Sequence, residues 1–409
     1  MFRKTGIPAV LAMAVLFLSA GNTVAEVRED LDTFQEETNA GMGVLSSRIA
    51  ALESKAKISV KGDVRARHEV FNQKANMTDG PKRTNNRGRS RIRARLSASK
   101  QVSDEVFGAI GLATGSLTDP TSTNQTLDAN FTEKGVYIDY GYVTWSPSAL
   151  GNRVMLTGGK MLNPLAKSAI NWDGDTNPEG WAGELNLDSK SKFRGGWFVL
   201  KENSSGKEWG MNVFQLERAL ALAGFDVKAA AGYQFVPFTN KLAGGTPDPL
   251  KTGNIKNTQG VIPDFKGVDG LLQFKRKVSG HDLVLLLHVC HNMNSFDLPT
   301  VGTAENDNEN AYLAEVNYGK VAAKGDKSIG LRWAYLQPNS VLSIFPDSDA
   351  EYTNRKYLRA TFGYGIADGM QFDLTGFGIR RVTYDVFTGS NRESRETLYR
   401  TQIDFVVKI

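Results

Sequence analysis

Apolar and polar residues alternate with a period of two through most of the chain after Ile58. "ISVKGDVRARHEV" sets Ile58, Val60, Gly62, Val64 and Ala66 against Ser59, Lys61, Asp63, Arg65 and Arg67. "FDVKAAAGYQFV" sets Phe225, Val227, Tyr233 and Phe235 against Asp226, Lys228 and Gln234. "KYLRATFGYGI" sets Leu358, Ala360, Phe362 and Tyr364 against Tyr357, Arg359 and Thr361. The last stretch, "ETLYRTQIDFVVKI", sets Tyr399, Ile403, Phe405 and Val407 against Arg400, Gln402 and Asp404. A strand sends successive side chains to opposite faces, so each stretch predicts a strand with one greasy and one polar side.

The connections alternate as well. Long polar segments fall near 72–85, 115–134, 162–178, 237–265, 292–309, 338–352 and 385–394, with one shorter outer link at 203–206. Tight turns fall near 101–104, 147–152, 189–191, 218–221, 278–280, 320–326 and 367–368. Long on one side and short on the other is the habit of a transmembrane antiparallel β-barrel, and the tally is about sixteen strands. The predicted class is all-β, with the barrel over residues 57–409.

The first 56 residues follow other rules. Arg3 and Lys4 precede an apolar run from Ile7 to Ala20, and Thr23 and Ala25 sit at cleavage-like positions. Residues 1–25 are therefore expected to be a secretory signal peptide. From Val27 to Ala56 the apolar steps become threes and fours, with a slip near Gly41 and Gly43. That spacing predicts a periplasmic α-helical, coiled-coil stalk over 26–56.

Within the alternating pattern one segment stands apart. "NRGRSRIRARLSAS", residues 86–99, places Arg87, Arg89, Arg91, Arg93 and Arg95 on one strand face, over about 27 Å. Facing lipid, an arginine at the midplane costs about 2–4 kcal/mol, so three would cost on the order of 10 kcal/mol. That rivals the stability of a whole protein. The row must face the interior. The candidate pore-lining set adds Arg65 and Arg67 from the preceding strand, the lysine ending the arginine strand (Lys100, after Ser99), and Arg359. Asp63 and Glu69 share the face of Arg65 and Arg67 and offset part of the charge.

Overall charge adds little. The net charge is +5, from 49 basic and 44 acidic residues, too balanced for a global basic field, so no nucleic-acid partner is expected. Cys290 is the only cysteine, which excludes internal disulfides and CxxCH haem attachment. No catalytic motif stands out, and neither an enzyme activity nor a cofactor is expected.

The loop "MLNPLAKSAINWDGDTNPEGWAGELNLDSK" carries Trp172, Asp173, Asp175, Glu179 and Trp181. Folded inward, Asp173, Asp175 and Glu179 would face the arginines across a constriction. Asp173, Asp175, Asn177, Glu179 and Glu184 also fall at the spacing of a calcium loop. Pro178 stands where glycine is required, which argues against one. His288 and Cys290 share a strand face and His291 points away, an ordinary strand pattern.

The segments "GDVRAR", "NRGRSRIRARL", "LATG", "STNQTL", "YVTW", "GGKMLNP" and "NWDGDTNPEG", in order over residues 62–180, resemble the "putative porin" family of Gram-negative outer membranes. The resemblance implies an outer-membrane channel for passive diffusion of small hydrophilic or anionic solutes, embedded in the lipid bilayer and expected as a homotrimer. The stalk-plus-barrel layout is also similar to phosphate-selective porins, which line their channel with basic residues. An outer-membrane barrel enzyme and a cytochrome sheath are the competing classes. The family's barrels usually end on an aromatic residue; here the last is Ile409, while Phe405 and Tyr399 keep the alternation.

Overall fold

A computed structural model describes residues 33, 58–75, 83–151, 153–245, 248–257, 260–294, 308–382 and 397–409. Segment 1–25, expected as a signal peptide, lies outside the described residues, as does 26–56 apart from Thr33. Contacts divide the chain into Met1–Val60 and Lys61–Ile409, and the barrel belongs to the second.

The strands run in chain order: β1 (Ile58–Ala75), β2 (Arg83–Gln101), β3 (Val106–Thr114), the two-residue β4 (Gln125–Thr126), β5 (Val136–Trp145) and β6 (Val154–Lys160). Then come β7 (Glu179–Asn186), β8 (Ser191–Lys201), β9 (Trp209–Leu222), β10 (Phe225–Val236), β11 (Phe265–Val278) and β12 (His281–Asn292). The last are β13 (Asn310–Gly319), β14 (Lys327–Leu336), β15 (Arg355–Ala367), β16 (Met370–Arg381) and β17 (Leu398–Lys408). Without the short β4, sixteen antiparallel strands form the wall, and β17 pairs back onto β1 to close it. Closure leaves no unpaired edge, which a membrane requires.

β17 displays the logic of the wall. Tyr399, Ile403, Phe405 and Val407 are exposed on its outer face, while Arg400, Gln402 and Asp404 are buried on its inner face. β15 repeats it, with Leu358, Phe362 and Tyr364 exposed and Tyr357 buried. Large apolar side chains outside and charges inside invert the arrangement of a water-soluble domain and suit a wall facing lipid.

The helical expectation is corrected. Among the described residues no helix is longer than four residues, as in Thr239–Leu242 and Pro249–Thr252. Among the described residues no coiled-coil segment occurs. The turn expected at 218–221 also moves. β9 continues to Leu222, and Ala223 and Gly224, both at positive φ (50° and 77°), make the turn. Ser279 and Gly280 (50° and 80°) do the same. Two successive left-handed residues make the tight hairpin that matches strand twist.

The interior is not uniformly polar. Segments 161–178 and 337–354 fold inward, and their apolar residues (Leu165, Ile170, Trp172, Val341, Leu342, Ile344, Phe345) are buried. They pack with Phe198, Met211, Val213, Val236, Leu313, Leu336 and Ile379, from β8 to β16, in one apolar cluster. Trp172 stacks on Phe345 with ring centroids 4.4 Å apart. Each large side chain so buried contributes roughly 1.5–3 kcal/mol. One arc of the inner wall thus anchors loops through apolar contacts, while β17, β1 and β2 supply charge.

Candidate functional site

Three neighbouring strands build the site. On β1, Arg67 and Glu69 are buried and Val64, Ala66, His68 and Val70 are exposed. His68 therefore lies on the outer face, where its Nδ1 is 3.0 Å from Ser90 Oγ. On β2, Arg93 is buried, Arg89, Arg91 and Arg95 are half-buried, and Leu96 is exposed. The row therefore lies inward from Arg89 to Arg95, and Arg87 is exposed near one end. Ser99 keeps the parity of the arginines, whereas Lys100 is exposed on the opposite parity and lies outside the row.

Every inward arginine of the row meets a carboxylate. Arg93 and Arg95 bracket Asp63 at 2.6 and 2.8 Å. Arg89 donates to Glu69, and Arg91 lies 3.7 Å from it. Arg400 of β17 reaches the same Glu69 at 2.5 Å. Arg67 pairs with Asp404 at 2.7 Å, and Arg65 lies 3.9 Å from that carboxylate. Arg65 also donates to Asn124 Oδ1 at 2.5 Å.

Seven arginines, 65, 67, 89, 91, 93, 95 and 400, share five carboxylates: Asp63, Glu69, Asp175, Asp349 and Asp404. The stripe is largely compensated, with an excess of two positive charges. Arg359 stands apart on β15, 5.7 Å from the Phe377 ring centroid, near a second group in which Arg332 pairs with Glu315 (2.8 Å) and Asp347 (3.2 Å).

The inward loops complete the site. Asp175 accepts from Thr123 N at 3.1 Å and lies 3.5 Å from Arg95 Nη1. Asp173 N donates to Phe345 O at 2.7 Å, and Asp347 N donates to Ala169 O at 3.0 Å, which stitches the two loops together. Ser168 Oγ lies 2.6 Å from His288 Nδ1, and His288 Nε2 lies 3.2 Å from Asp269 Oδ2, which ties the first loop to β11 and β12. His288 and Cys290 face inward and His291 bonds Asn310.

Glu179 opens β7, is exposed, and pairs with Lys160 at 2.7 Å. Trp181 is exposed on the outer wall. Asn177 donates to Asp139, and Glu184 pairs with Lys192 and Arg194, so the calcium-spaced residues do not converge.

The loop carboxylates differ sharply. Burial, then the nearby Asp347 and Asp175, push Asp173 well above the usual carboxylate value. Burial, then Asp349, raise Asp347, with Arg332 opposing. Burial would raise Asp349 too, but Arg400 and Arg67 hold it well below the usual range. A cavity of about 260 Å³ remains between Asp63, Arg95, Asp139, Tyr140, Asp175 and Asn177. It places charge of both signs around an open space beside the loop tip. Arg400, Arg332, Asp347 and Asp349 were not singled out by sequence reasoning. For Arg400 the inward face of the last strand was a usable signal; for the two loop aspartates there was none.

A closed antiparallel barrel with an oily exterior, a charged inner stripe and inward loops has the architecture of an outer-membrane porin. The profile of the family described as "Putative porin" matches residues 64–199, which include β2 and the first inward loop. The match covers about a third of the chain, and over that segment the chain is similar to this porin family. No curated protein matches it. Among solved structures, OprB of Pseudomonas putida at high pH is 10% identical, covers 86% of this chain and 94% of its own, and superposes with a TM-score of 0.55. OmpF of Salmonella typhi in complex with daunomycin is 10% identical over 86% of this chain and 97% of its own, at 0.49. OmpT of Vibrio cholerae is 12% identical over 86% and 99%, at 0.45. The OprB likeness carries the barrel fold beyond the segment the family profile matches.

Proposed function

We propose that the barrel is a water-filled channel for passive diffusion of small hydrophilic solutes across the outer membrane, with a preference for anions. One observation carries the preference: seven inward arginines on three adjacent strands share five carboxylates. In a wet lumen the excess charge attracts anions, and each charge at ~7 Å acts with only ~0.6 kcal/mol. The preference is therefore graded, a bias among small ions. Segment 162–178 serves as the constriction, where Asp175 pairs with Arg95 at 3.5 Å. The assembly is read as a homotrimer, which mass in detergent checks.

Planar-bilayer recording tests the reading. Under a potassium chloride gradient the wild-type reversal potential lies on the anion side. Replacing Arg89, Arg91 and Arg93 with serine moves it toward cations, because Asp63 and Glu69 then lose most of their partners. An unmoved potential would remove the arginine row from the selectivity mechanism.

A further inference from the structure

One carboxylate that compensates the arginine stripe comes from the second inward loop, not from the barrel wall. Asp349 sits on the single helical turn Ser348–Ala350 of the second inward loop. Its Oδ2 lies 3.0 Å from Arg67 Nη1, and its Oδ1 lies 2.7 Å from Arg400 Nη2. Arg400 Nη1 also donates to the Asp349 carbonyl at 2.7 Å. Two guanidinium groups from β1 and β17 thus converge on one carboxylate from a loop.

Both arginines are held without Asp349. Arg67 keeps Asp404 through two hydrogen bonds, and Arg400 keeps Glu69 through two more. Arg400 is also stacked, with its guanidinium 4.9 Å from the Phe71 centroid. The arginine side chains are 6% and 4% exposed, whereas the Asp349 side chain is 28% exposed. The Asp349 side chain is therefore the more exposed member of this cluster. The loop is built to place it. Asp347 caps the turn by accepting from Asp349 N at 2.9 Å. Glu351, Tyr352 and Asn354 all adopt positive φ (62°, 65° and 56°), which non-glycine residues rarely do and which must be held by their surroundings.

We propose that Arg67 and Arg400 form an oxyanion-binding site facing the lumen, which the chain fills with its own Asp349 carboxylate as a tethered counter-ion. Small carboxylates and inorganic phosphate are the ligands it takes when that carboxylate is withdrawn. Around this point Arg65, Arg67, Arg89, Arg91 and Arg400 share Glu69, Asp404 and Asp349, so removing Asp349 raises the local excess from two charges to three. The inference rests on the channel reading above and assigns a specificity-setting role to a residue outside the barrel wall.

Bilayer recordings of D349A, D349N and the wild type test it, with inorganic phosphate and acetate as probes. D349A should raise the chloride-over-potassium permeability ratio about threefold, the effect of one charge in a wet lumen. Acetate or phosphate added to D349A should then lower the chloride current saturably, by occupying the vacated space. D349N should shift the ratio in the same direction without a saturable acetate effect, because its side chain still fills the space. Response to acetate alone assigns a carboxylate site; response to both assigns a general oxyanion site. An unshifted ratio in D349A and D349N, or a shifted ratio with no saturable response in D349A, overturns the proposal. Heat-modified gel mobility reports folding, and D349N decides alone if D349A fails to insert. A wild type that conducts and shifts on loss of the arginine row, beside an inert D349A, sinks this inference only. A wild type without ion current sinks the channel reading and takes this inference with it.

Discussion

Phe71 stands opposite Arg400 across the β1–β17 seam, and its ring centroid lies 4.9 Å from the guanidinium carbon. Arg89 approaches the same ring at 5.3 Å. One aromatic face pair thus spaces two like charges that both reach for Glu69. A cation over an aromatic face is worth about 0.5–2 kcal/mol, the higher figure when desolvated. Phe71→Leu keeps apolar bulk and removes the ring. It should lower the urea midpoint of the barrel in detergent, whereas Phe362→Leu, on the exposed outer face, should leave it close to wild type. Equal midpoints for the two variants would deny the seam this role.

Glu69 is the most demanding charge in the stripe. Its side chain is fully buried and is touched by Arg89, Arg91 and Arg400. Removing one partner of a buried ionic cluster costs about 3–5 kcal/mol, because the remaining charges lose compensation. Glu69→Gln keeps the shape and should destabilise the barrel by that order. Asp63→Asn, at a carboxylate 17% exposed to the lumen, should cost clearly less. Urea denaturation of both in the same detergent gives the comparison, and an Asp63→Asn effect as large as that of Glu69→Gln would refute the ranking.

What was legible in the sequence follows from period and cost. The two-residue alternation from Leu398 to Lys408 names the inner and outer faces of β17 without any structure, because a strand has only two faces. The cost of arginine in lipid sends Arg89, Arg91 and Arg93 inward for the same kind of reason. Pairing across the seam was not legible. Arg400 lies 331 positions from Glu69, and no local pattern says which residue of the last strand meets which residue of the first. Loop contacts were hidden too. Segment 337–354 has no period, and only packing shows that Ile344 and Phe345 enter the interior while Asp349 reaches the arginines. The inner apolar wall departs from a polar-in alternation. Val213, Leu336 and Ile379 face inward to receive those loops.

The first inward loop is held to the wall by a buried relay. His288 Nε2 lies 3.2 Å from Asp269 Oδ2 and Nδ1 lies 2.6 Å from Ser168 Oγ, so both ring nitrogens are partnered. Gln215 adds a second tie, accepting from Ala166 N at 2.8 Å and donating to Ala166 O at 2.9 Å. Ser168→Ala removes one hydrogen bond of about 1 kcal/mol. The loop should then move more, and single-channel recordings should show increased open-state current noise at unchanged mean selectivity. A trace as quiet as wild type would mean that the apolar packing of Ile170 and Trp172 alone holds the segment.

The junction of the two loops should respond to pH. Asp173 and Asp347 are raised above their ordinary value of 3.8, first by burial and then by neighbouring carboxylates. Asp173 faces Asp347, Asp175, Asp349 and Lys167; Asp347 faces Asp349, Arg332 and Arg359. A carboxyl whose folded value is raised binds its proton more tightly when folded, so its stabilising contribution is full below 3.8 and is lost as pH rises through the raised value. Asp349 works in the opposite sense: Arg400 and Arg67 hold it low, so its contribution is present above 3.8 and is lost only in stronger acid. Above about pH 4 the loop junction should therefore loosen as pH rises through the raised values. Open-state noise should grow over that window in the wild type. Asp173→Asn, which cannot ionise, should flatten much of the dependence and leave the part owed to Asp347. A pH profile of the same steepness in both proteins would assign the dependence to groups outside this junction.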